Sequence, residues 1–331
     1  MEQLTLKSHR FRAEREADWR KLEDLLDRFE KSRGITLSDD EVVAIPVLYR
    51  SALSSLSTAR AVSLDQNLIA YLESLCTRAY YCVYGTRSTI AERIVRFVTH
   101  DWPLSVQALW RETAVSGALG LLATLTAYFL VRSNSAWFYD FIPAGLADGR
   151  DPGASTEALR QTLFKAYDAD GLGAFSSFLF THNAQVSLLA FALGFAACLP
   201  TAFLIFDNGL MLGAFFAVYA AHGLGFDLGG WLFIHGVTEL FAVTLAGAAG
   251  FRIGWALAFP GEKARLDAVK EAGRVAANVM VGVVVMLVFA GLLEGFGRQL
   301  ITNTFARYGV AIATGIVWFG YFYFYRPERR A

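Results

Sequence analysis

Long apolar stretches, separated by short polar or charged segments, fill the chain from residue 113 to residue 325. There are six of them, at 113–131, 184–206, 209–224, 231–251, 276–293 and 309–325. A helix needs about 20 residues to cross the hydrocarbon core of a bilayer, so five stretches are long enough. The third is short, and it either spans at minimal length or dips into the bilayer and returns. The pattern predicts an all-α polytopic membrane protein with a six-helix transmembrane bundle.

The chain before the first apolar stretch has the pattern of amphipathic helices instead. Leu22 and Leu26 lie on one helix face, as their spacing of four residues shows. Ser38 and Glu41 have the spacing of a capping box, while Pro46 suggests that the longer helix starts only there. This part of the chain is predicted to be a soluble helical domain.

The two patterns divide the chain into a cytoplasmic helical domain, 1–112, and a transmembrane domain, 113–331. The segment 132–183 is rich in Pro, Gly and Asp and has no apolar run long enough to cross, so it is predicted to be an extracytoplasmic loop. Its later part has the composition of a helix on the membrane surface. Trp102 and Trp110 are expected to anchor the chain at the membrane interface.

Composition and charge support the membrane class and predict an orientation. The chain is 55% hydrophobic and 18% charged, and its formal net charge of zero gives no basic surface for nucleic acid. Basic residues concentrate in the segment 252–274 and in the tail after residue 325, whereas the segment 221–230 has none. By the positive-inside rule, both termini are expected in the cytoplasm.

Three ionisable residues within or directly after the apolar stretches carry the candidate chemistry. His235 and Glu239 are four residues apart in the fourth stretch and share a helix face, and Glu294 closes the fifth. In the predicted orientation all three lie toward the extracytoplasmic side, where His182 and Asn183 begin the second stretch. Ionisable groups at such depth are costly unless they pair, line water or bind something. These five residues are therefore predicted to form one polar intramembrane site.

Three interpretations of this polar site remain open. The groups either join helices by hydrogen bonds, or they form a path for protons, ions or a small solute. In the third interpretation His235, Glu239 and Glu294 are ligands of Zn²⁺ in an intramembrane enzyme, since imidazole and carboxylate are zinc ligands. The spacing H-x-x-x-E differs from the H-E-x-x-H of zinc proteases. No catalytic residue is assigned and no cofactor is expected.

Other residues of the transmembrane domain have simpler expected roles. Asn208 is predicted to lie in a turn between the second and third spans. Arg252 and Arg274 are expected at the inner face, beside lipid phosphates or the ends of helices. Small residues around Gly247 and Gly282 allow close helix contact and are compatible with a homodimer.

Several short motifs occur in an order that resembles the stage II sporulation protein M family of bacterial integral membrane proteins. The motifs are Asn208-Gly209-Leu210-Met211-Leu212-Gly213-Ala214, His235-Gly236-Val237-Thr238-Glu239-Leu240, Gly247-Ala248-Ala249-Gly250-Phe251-Arg252-Ile253-Gly254, Gly273-Arg274 and Leu293-Glu294-Gly295-Phe296. Leu48-Tyr49-Arg50 and Ala59-Arg60 resemble a signature of the longer members, so the resemblance covers nearly the whole chain.

This resemblance implies a role in assembly rather than in catalysis. The namesake of the family joins partner proteins at the membrane of spore-formers, where peptidoglycan is degraded during engulfment. Longer members are often encoded beside an RDD-family membrane protein and a MoxR-type AAA ATPase, and these are the expected partners. The expected function is a non-enzymatic scaffold in a cell-envelope process at the bacterial inner membrane.

Overall fold

A computed structural model describes residues 2–32, 37–62, 65–84, 89–164, 183–297 and 300–327. All regular structure in these ranges is helical, which confirms the predicted all-α class. The chain divides into two compact units, Met1–Ala91 and Glu92–Ala331. Residues 92–112 belong to the second unit, because Trp102, Val106 and Leu109 lie in one of its cores.

Three long helices form the first unit: α1 (Glu2–Ser32), α2 (Asp39–Ala61) and α3 (Gln66–Tyr84). The predicted capping box is present, because Ser38 accepts from the backbone of Glu41 and Glu41 accepts from the backbone of Ser38. It starts α2 one turn and more ahead of Pro46, which lies inside the helix, so the prediction that the helix starts at Pro46 is wrong.

The first unit has a core of its own. Trp19, Leu22 and Leu26 of α1 are buried against apolar residues of α2 and α3, as the spacing along α1 predicts. The indole N–H of Trp19 donates to the hydroxyl of Ser55, 3.3 Å away. At the surface, Arg78 of α3 binds Asp27 and Glu30 of α1, which joins the ends of these two helices.

The second unit begins within a short helix and contains the apolar stretches. Its helices are α4 (Ile90–Arg96), α5 (Trp102–Ala108), α6 (Trp110–Ser133), α7 (Trp137–Phe141), α8 (Ala144–Ala147), α9 (Thr156–Phe164), α10 (Asn183–Phe195), α11 (Leu199–Ala221), α12 (Gly225–Ala258), α13 (Arg265–Leu292) and α14 (Thr304–Phe319). Turns of π-helix follow α4, α13 and α14, at Phe97–Asp101, Leu293–Gly297 and Gly320–Phe324.

Five helices of the described part of the chain have the length and composition needed to cross a membrane. They are α2, α6, α11, α12, and α13 together with its π-turn. The described part of α10 is apolar but shorter than these five helices. The predicted sixth stretch, 309–325, corresponds to the later part of α14 together with the π-turn that follows it. The six predicted stretches therefore correspond to α6 and α10 to α14, whereas α2 belongs to the segment that the sequence assigns to the cytoplasm.

The predicted turn at Asn208 is wrong. Asn208 lies inside α11, and the chain reverses earlier, at residues 196–198. Ala197 and Cys198 have positive φ angles of 54° and 69° there, and Pro200 follows in the first turn of α11. The third stretch is therefore part of a helix of 23 residues.

Contacts between small residues show the relative directions of the helices. Gly209 lies against Gly120 and Gly213 against Thr124, so α6 and α11 are parallel. Ile205 lies against Gly247 and Thr201 against Gly250, so α11 and α12 are antiparallel. Contacts of Thr304 with Gly230 and of Trp318 with Thr238 make α14 parallel to α12. These directions agree with helices that cross alternately in opposite senses.

The two glycine faces that the sequence analysis finds compatible with a homodimer both pack against other helices of the same chain. Gly247 is in contact with Ser116 of α6 and with Ile205 of α11. Gly282 lies directly against the indole ring of Trp102. These two faces are therefore not open to a second copy.

Trp102 is not an interfacial anchor. It is 3% exposed and packs among Phe97, Tyr321 and Phe322, with ring centroids 5.2 to 5.7 Å apart. The π-turn Phe97–Asp101 before it continues directly into α5. Trp110, the other predicted anchor, is 57% exposed.

Short helices of the predicted loop cover one end of α6, α11 and α12. Phe138 and Ile142 from the α7 region, together with Leu159 and Leu163 of α9, are buried against Val218 of α11 and its neighbours. The helix predicted within residues 156–180 begins at Thr156, and its part after residue 164 lies outside the described residues.

Candidate functional site

The helix α12 places His235 and Glu239 on one buried face. The imidazole is 1% exposed and the glutamate 9% exposed. His235 Nε2 lies 3.9 Å from Glu239 Oε2, at the edge of ion-pair distance. The spacing of four residues on a helix produces this arrangement, as the sequence predicts.

The helix α10 brings Asn183 to the same place. Its side-chain amide donates to Glu239 Oε1 over 2.5 Å. The two helices also approach closely about three turns further along α10. A Cβ atom at Gly194 would lie 2.3 Å from the carbonyl oxygen of Gly250, so only glycine fits there. His182, which precedes Asn183, lies outside the described residues.

Glu294 is buried nearby, at the end of α13. It is 1% exposed and lies in the π-turn Leu293–Gly297. This turn packs on α12, where Gly297 lies against Ile234, the residue before His235. Turns of π-helix inside α-helices occur often at functional sites.

A cavity of about 180 Å³ opens beside the Asn183–His235–Glu239 cluster. Its floor includes these three residues, and Glu294 is not among the described residues that line it. Aromatic and aliphatic side chains of α11 and α12 form the walls: Phe215, Phe216, Tyr219, Leu228, Trp231 and Leu232. The structure thus places three of the predicted site residues around one cavity.

Two charged residues that follow α8, Asp148 and Arg150, also line this cavity. The Arg150 guanidinium donates to the carbonyl oxygens of Leu146 and Ala147, which end α8. It also lies over the ring of Phe215, 5.2 Å from the centroid. Asp148, beside it, has a left-handed backbone with φ of 45°. The sequence predicts only a loop here, because nothing in its pattern indicates that this segment folds back onto α11.

A second cavity of about 510 Å³ adjoins the first. Leu212, Phe216 and Leu240 line both, and Asn208 lies between them on α11. The second cavity extends between α6, α11 and α12 along mainly apolar side chains, from Tyr128 to Ser116. Asn208 is thus placed at the junction of two cavities rather than in a turn.

The predicted inner-face arginines differ in their surroundings. Arg252, near the end of α12, forms an ion pair with Glu112 at the start of α6, with Nη1 and Oε1 3.0 Å apart. This pair joins the two helix ends. Arg274 is exposed on α13.

One buried arginine, Arg307, is not among the site residues that the sequence predicts. Arg307 of α14 is 2% exposed and donates from Nε to the carbonyl oxygen of Ile301 over 2.7 Å. Its guanidinium lies 5.7 Å from the ring of Phe164, so it connects α14 with α9. A lone arginine just before an apolar stretch is a weak signal, because such residues more often mark a helix end at the interface.

Within the described ranges, no group of three or more His, Cys, Asp or Glu side chains is arranged to hold a metal ion.

Two regions of the chain match the sequence models of known protein families. The sequence model of a family described as stage II sporulation protein M matches residues 114–297. A domain of unknown function, DUF8413, matches residues 9–85, which lie in the first unit. Searches of curated proteins and of solved structures gave no match.

The matched region of the first family covers more than half of the chain and includes α6, the cavity walls, His235, Glu239 and Glu294. It ends with the π-turn after α13, at Gly297. The protein is therefore a membrane protein that belongs to the stage II sporulation protein M (SpoIIM) family.

Proposed function

We propose that the protein is a non-enzymatic scaffold of a cell-envelope process at the bacterial inner membrane. In this proposal the second unit anchors the chain and the first unit binds partner proteins in the cytoplasm. Family membership supports a role at the envelope. The basic segment 252–274, after α12, supports a cytoplasmic position for the end of that helix and for both termini.

The observation that carries the proposal is an aromatic surface on the first unit. Tyr80, Tyr81 and Tyr84 of α3 are 50%, 69% and 63% exposed, and neighbouring rings lie 5.2 and 5.8 Å apart. We call these three residues the tyrosine patch. Tyrosine is enriched at protein interfaces, because it buries a large ring and keeps a hydroxyl for a hydrogen bond. Exposed apolar patches on folded units commonly mark interaction sites.

The proposed partners are an RDD-family membrane protein and a MoxR-type AAA ATPase, as the resemblance of the chain suggests. A cytoplasmic ATPase can reach only a cytoplasmic part of the protein, so the tyrosine patch is the surface proposed for it. The hydrogen bond from Asn183 to Glu239 supports a structural role for the second unit. Here the polar groups hold α10 against α12 within the proposed membrane anchor.

Co-purification from the native bacterium tests this function. Full-length tagged protein is expected to recover the ATPase, and Tyr81→Ser with Tyr84→Ser is expected to reduce the recovery about tenfold, which corresponds to 1.4 kcal/mol of binding free energy. Tyr139→Ser, which changes a 61% exposed tyrosine of the second unit, is the matched control and should have no effect. Equal recovery with both variants, at equal protein stability, would refute the proposed surface.

A further inference from the structure

We infer that the cavity at Glu239 binds an ammonium group. The group is carried either by a small soluble amine or by the headgroup of a phospholipid. This inference does not depend on the scaffold function, because it concerns the membrane-embedded second unit rather than the partner-binding surface of the first.

The walls of the cavity have the chemistry that recognises ammonium ions. Phe215, Phe216, Tyr219 and Trp231 contribute four aromatic side chains around one small space. Aromatic faces attract cations through their quadrupole, and cages of aromatic rings are the usual sites for quaternary ammonium ligands. Phe215 already engages the Arg150 guanidinium, 5.2 Å from its centroid, so the ring faces proposed for the ligand are those of Phe216, Tyr219 and Trp231.

The floor of the cavity supplies the negative charge. Glu239 is 9% exposed, and one of its oxygens accepts the Asn183 amide while the other lies 3.9 Å from His235 Nε2. A buried carboxylate is costly unless a cation or several hydrogen bonds compensate it. At 3.9 Å the imidazole is beyond hydrogen-bond distance, so Oε2 has room for a stronger donor. An ammonium group supplies both the countercharge and the N–H or polarised C–H donors.

The size of the cavity restricts the ligand. Its volume of about 180 Å³ is smaller than the roughly 300–1,000 Å³ of sites for drug-sized molecules, so it fits a headgroup of ethanolamine or choline size. The adjoining cavity of about 510 Å³ is mostly apolar and shares the lining residues Asn208, Leu212, Phe216 and Leu240 with it. A phospholipid would place its ammonium group at Glu239 and an acyl chain in this second cavity.

Binding measurements on the purified full-length protein test the inference. Choline chloride and ethanolamine are titrated into protein in detergent, and heat and Trp fluorescence are recorded. In a second arm the protein is placed in nanodiscs of phosphatidylethanolamine or of phosphatidylglycerol, and its thermal midpoint is compared. Saturable binding of the soluble amines indicates a soluble ligand. A higher midpoint only with phosphatidylethanolamine indicates a lipid headgroup, and either result supports the ammonium site.

Two variants and one control connect the signal with the cavity. Glu239→Gln keeps the hydrogen bond from Asn183 possible but removes the charge, and it should weaken binding at least about tenfold. Trp231→Leu removes one aromatic wall without touching Glu239, and it should also weaken binding. Glu157→Gln removes an exposed carboxylate of α9 that does not line the cavity, and it should change nothing.

The inference is wrong if no amine binds up to millimolar concentration and the two lipids give equal midpoints. It is also wrong if Glu239→Gln and Trp231→Leu, with thermal midpoints like that of the wild type, bind the amine as tightly. Recovery of the ATPase measures the scaffold function separately, so failure of one proposal leaves the other untouched.

Discussion

At the scale of single residues, the hydrogen bond between Asn183 and Glu239 joins the start of the described part of α10 to α12. The carboxyl of Glu239 is buried and the Asn183 amide is partly buried, and each would lose its partner if the other were truncated. Polar contacts between membrane helices average about 0.6 kcal/mol and reach about 1.7 kcal/mol. The contact therefore orients the helix more than it stabilises the fold.

Replacing Asn183 by alanine tests this contact. Asn183→Ala should lower the free energy of unfolding in detergent by about 0.6–1.7 kcal/mol, because the carboxyl of Glu239 loses its amide donor. Asn208→Ala is the control, because it deletes the same amide group from a residue that lines the same cavity. Among the described residues the Asn208 side chain makes no hydrogen bond, so this substitution should lower the free energy of unfolding by less. A larger loss for Asn208→Ala would contradict the assigned role of Asn183.

The polar cluster shows how much of the site the sequence predicts. His235 and Glu239 follow from helix spacing alone, and Asn183 follows from the predicted orientation. Asn208 was misplaced because Asn-Gly favours turns locally. In the folded chain a Cβ atom at Gly209 would lie 2.5 Å from the carbonyl oxygen of Gly120, so this glycine serves helix packing instead. Contacts between distant segments are not visible in local turn chemistry.

At the scale of elements, the reversal between α10 and α11 depends on two residues with left-handed backbone. Ala197 has φ of 54° and Cys198 has φ of 69°. The thiol of Cys198 donates to the carbonyl oxygen of Phe251, which fixes the reversal on α12. Neither residue type indicates a positive φ, so the sequence did not predict a turn here.

Two alanine-to-glycine substitutions of opposite expected effect test the position of this reversal. Ala197→Gly should leave stability unchanged or raise it by up to about 1 kcal/mol, because glycine adopts a positive φ without steric cost. Ala192→Gly, on the exposed side of α10 with φ of −62°, should lower stability by about 1 kcal/mol. Thermal unfolding in detergent measures both. Equal losses in the two variants would place the reversal elsewhere.

At the scale of the whole molecule, each of the two units has its own apolar core. The core of the first unit contains Trp19, Leu22 and Leu72, all 0 to 1% exposed. In the second unit, Ala246, Val283 and Met286 belong to a separate cluster and are each fully buried. The amphipathic spacing of Trp19 and Leu22 predicts the first core, whereas the boundary at Ala91 depends on tertiary contacts of Trp102 that no local pattern reveals.

Hydrogen exchange measures whether these cores are independent. Trp19→Ala should cost the first unit about 3–5 kcal/mol, the usual loss when a buried aromatic residue is truncated. Amides of α1 to α3 should then exchange faster, while those of α12 and α13 keep their wild-type rates. Trp110→Ala, at a 57% exposed site, is the control. Faster exchange throughout both units would show one cooperative fold instead.

The contacts of α10 have a consequence for how the protein is made. The glycine contact at Gly194 and the amide contact of Asn183 are both made to α12, which the ribosome produces later. We therefore expect α10 to take its final position only after α12 has emerged, because until then the surface on which it packs does not exist.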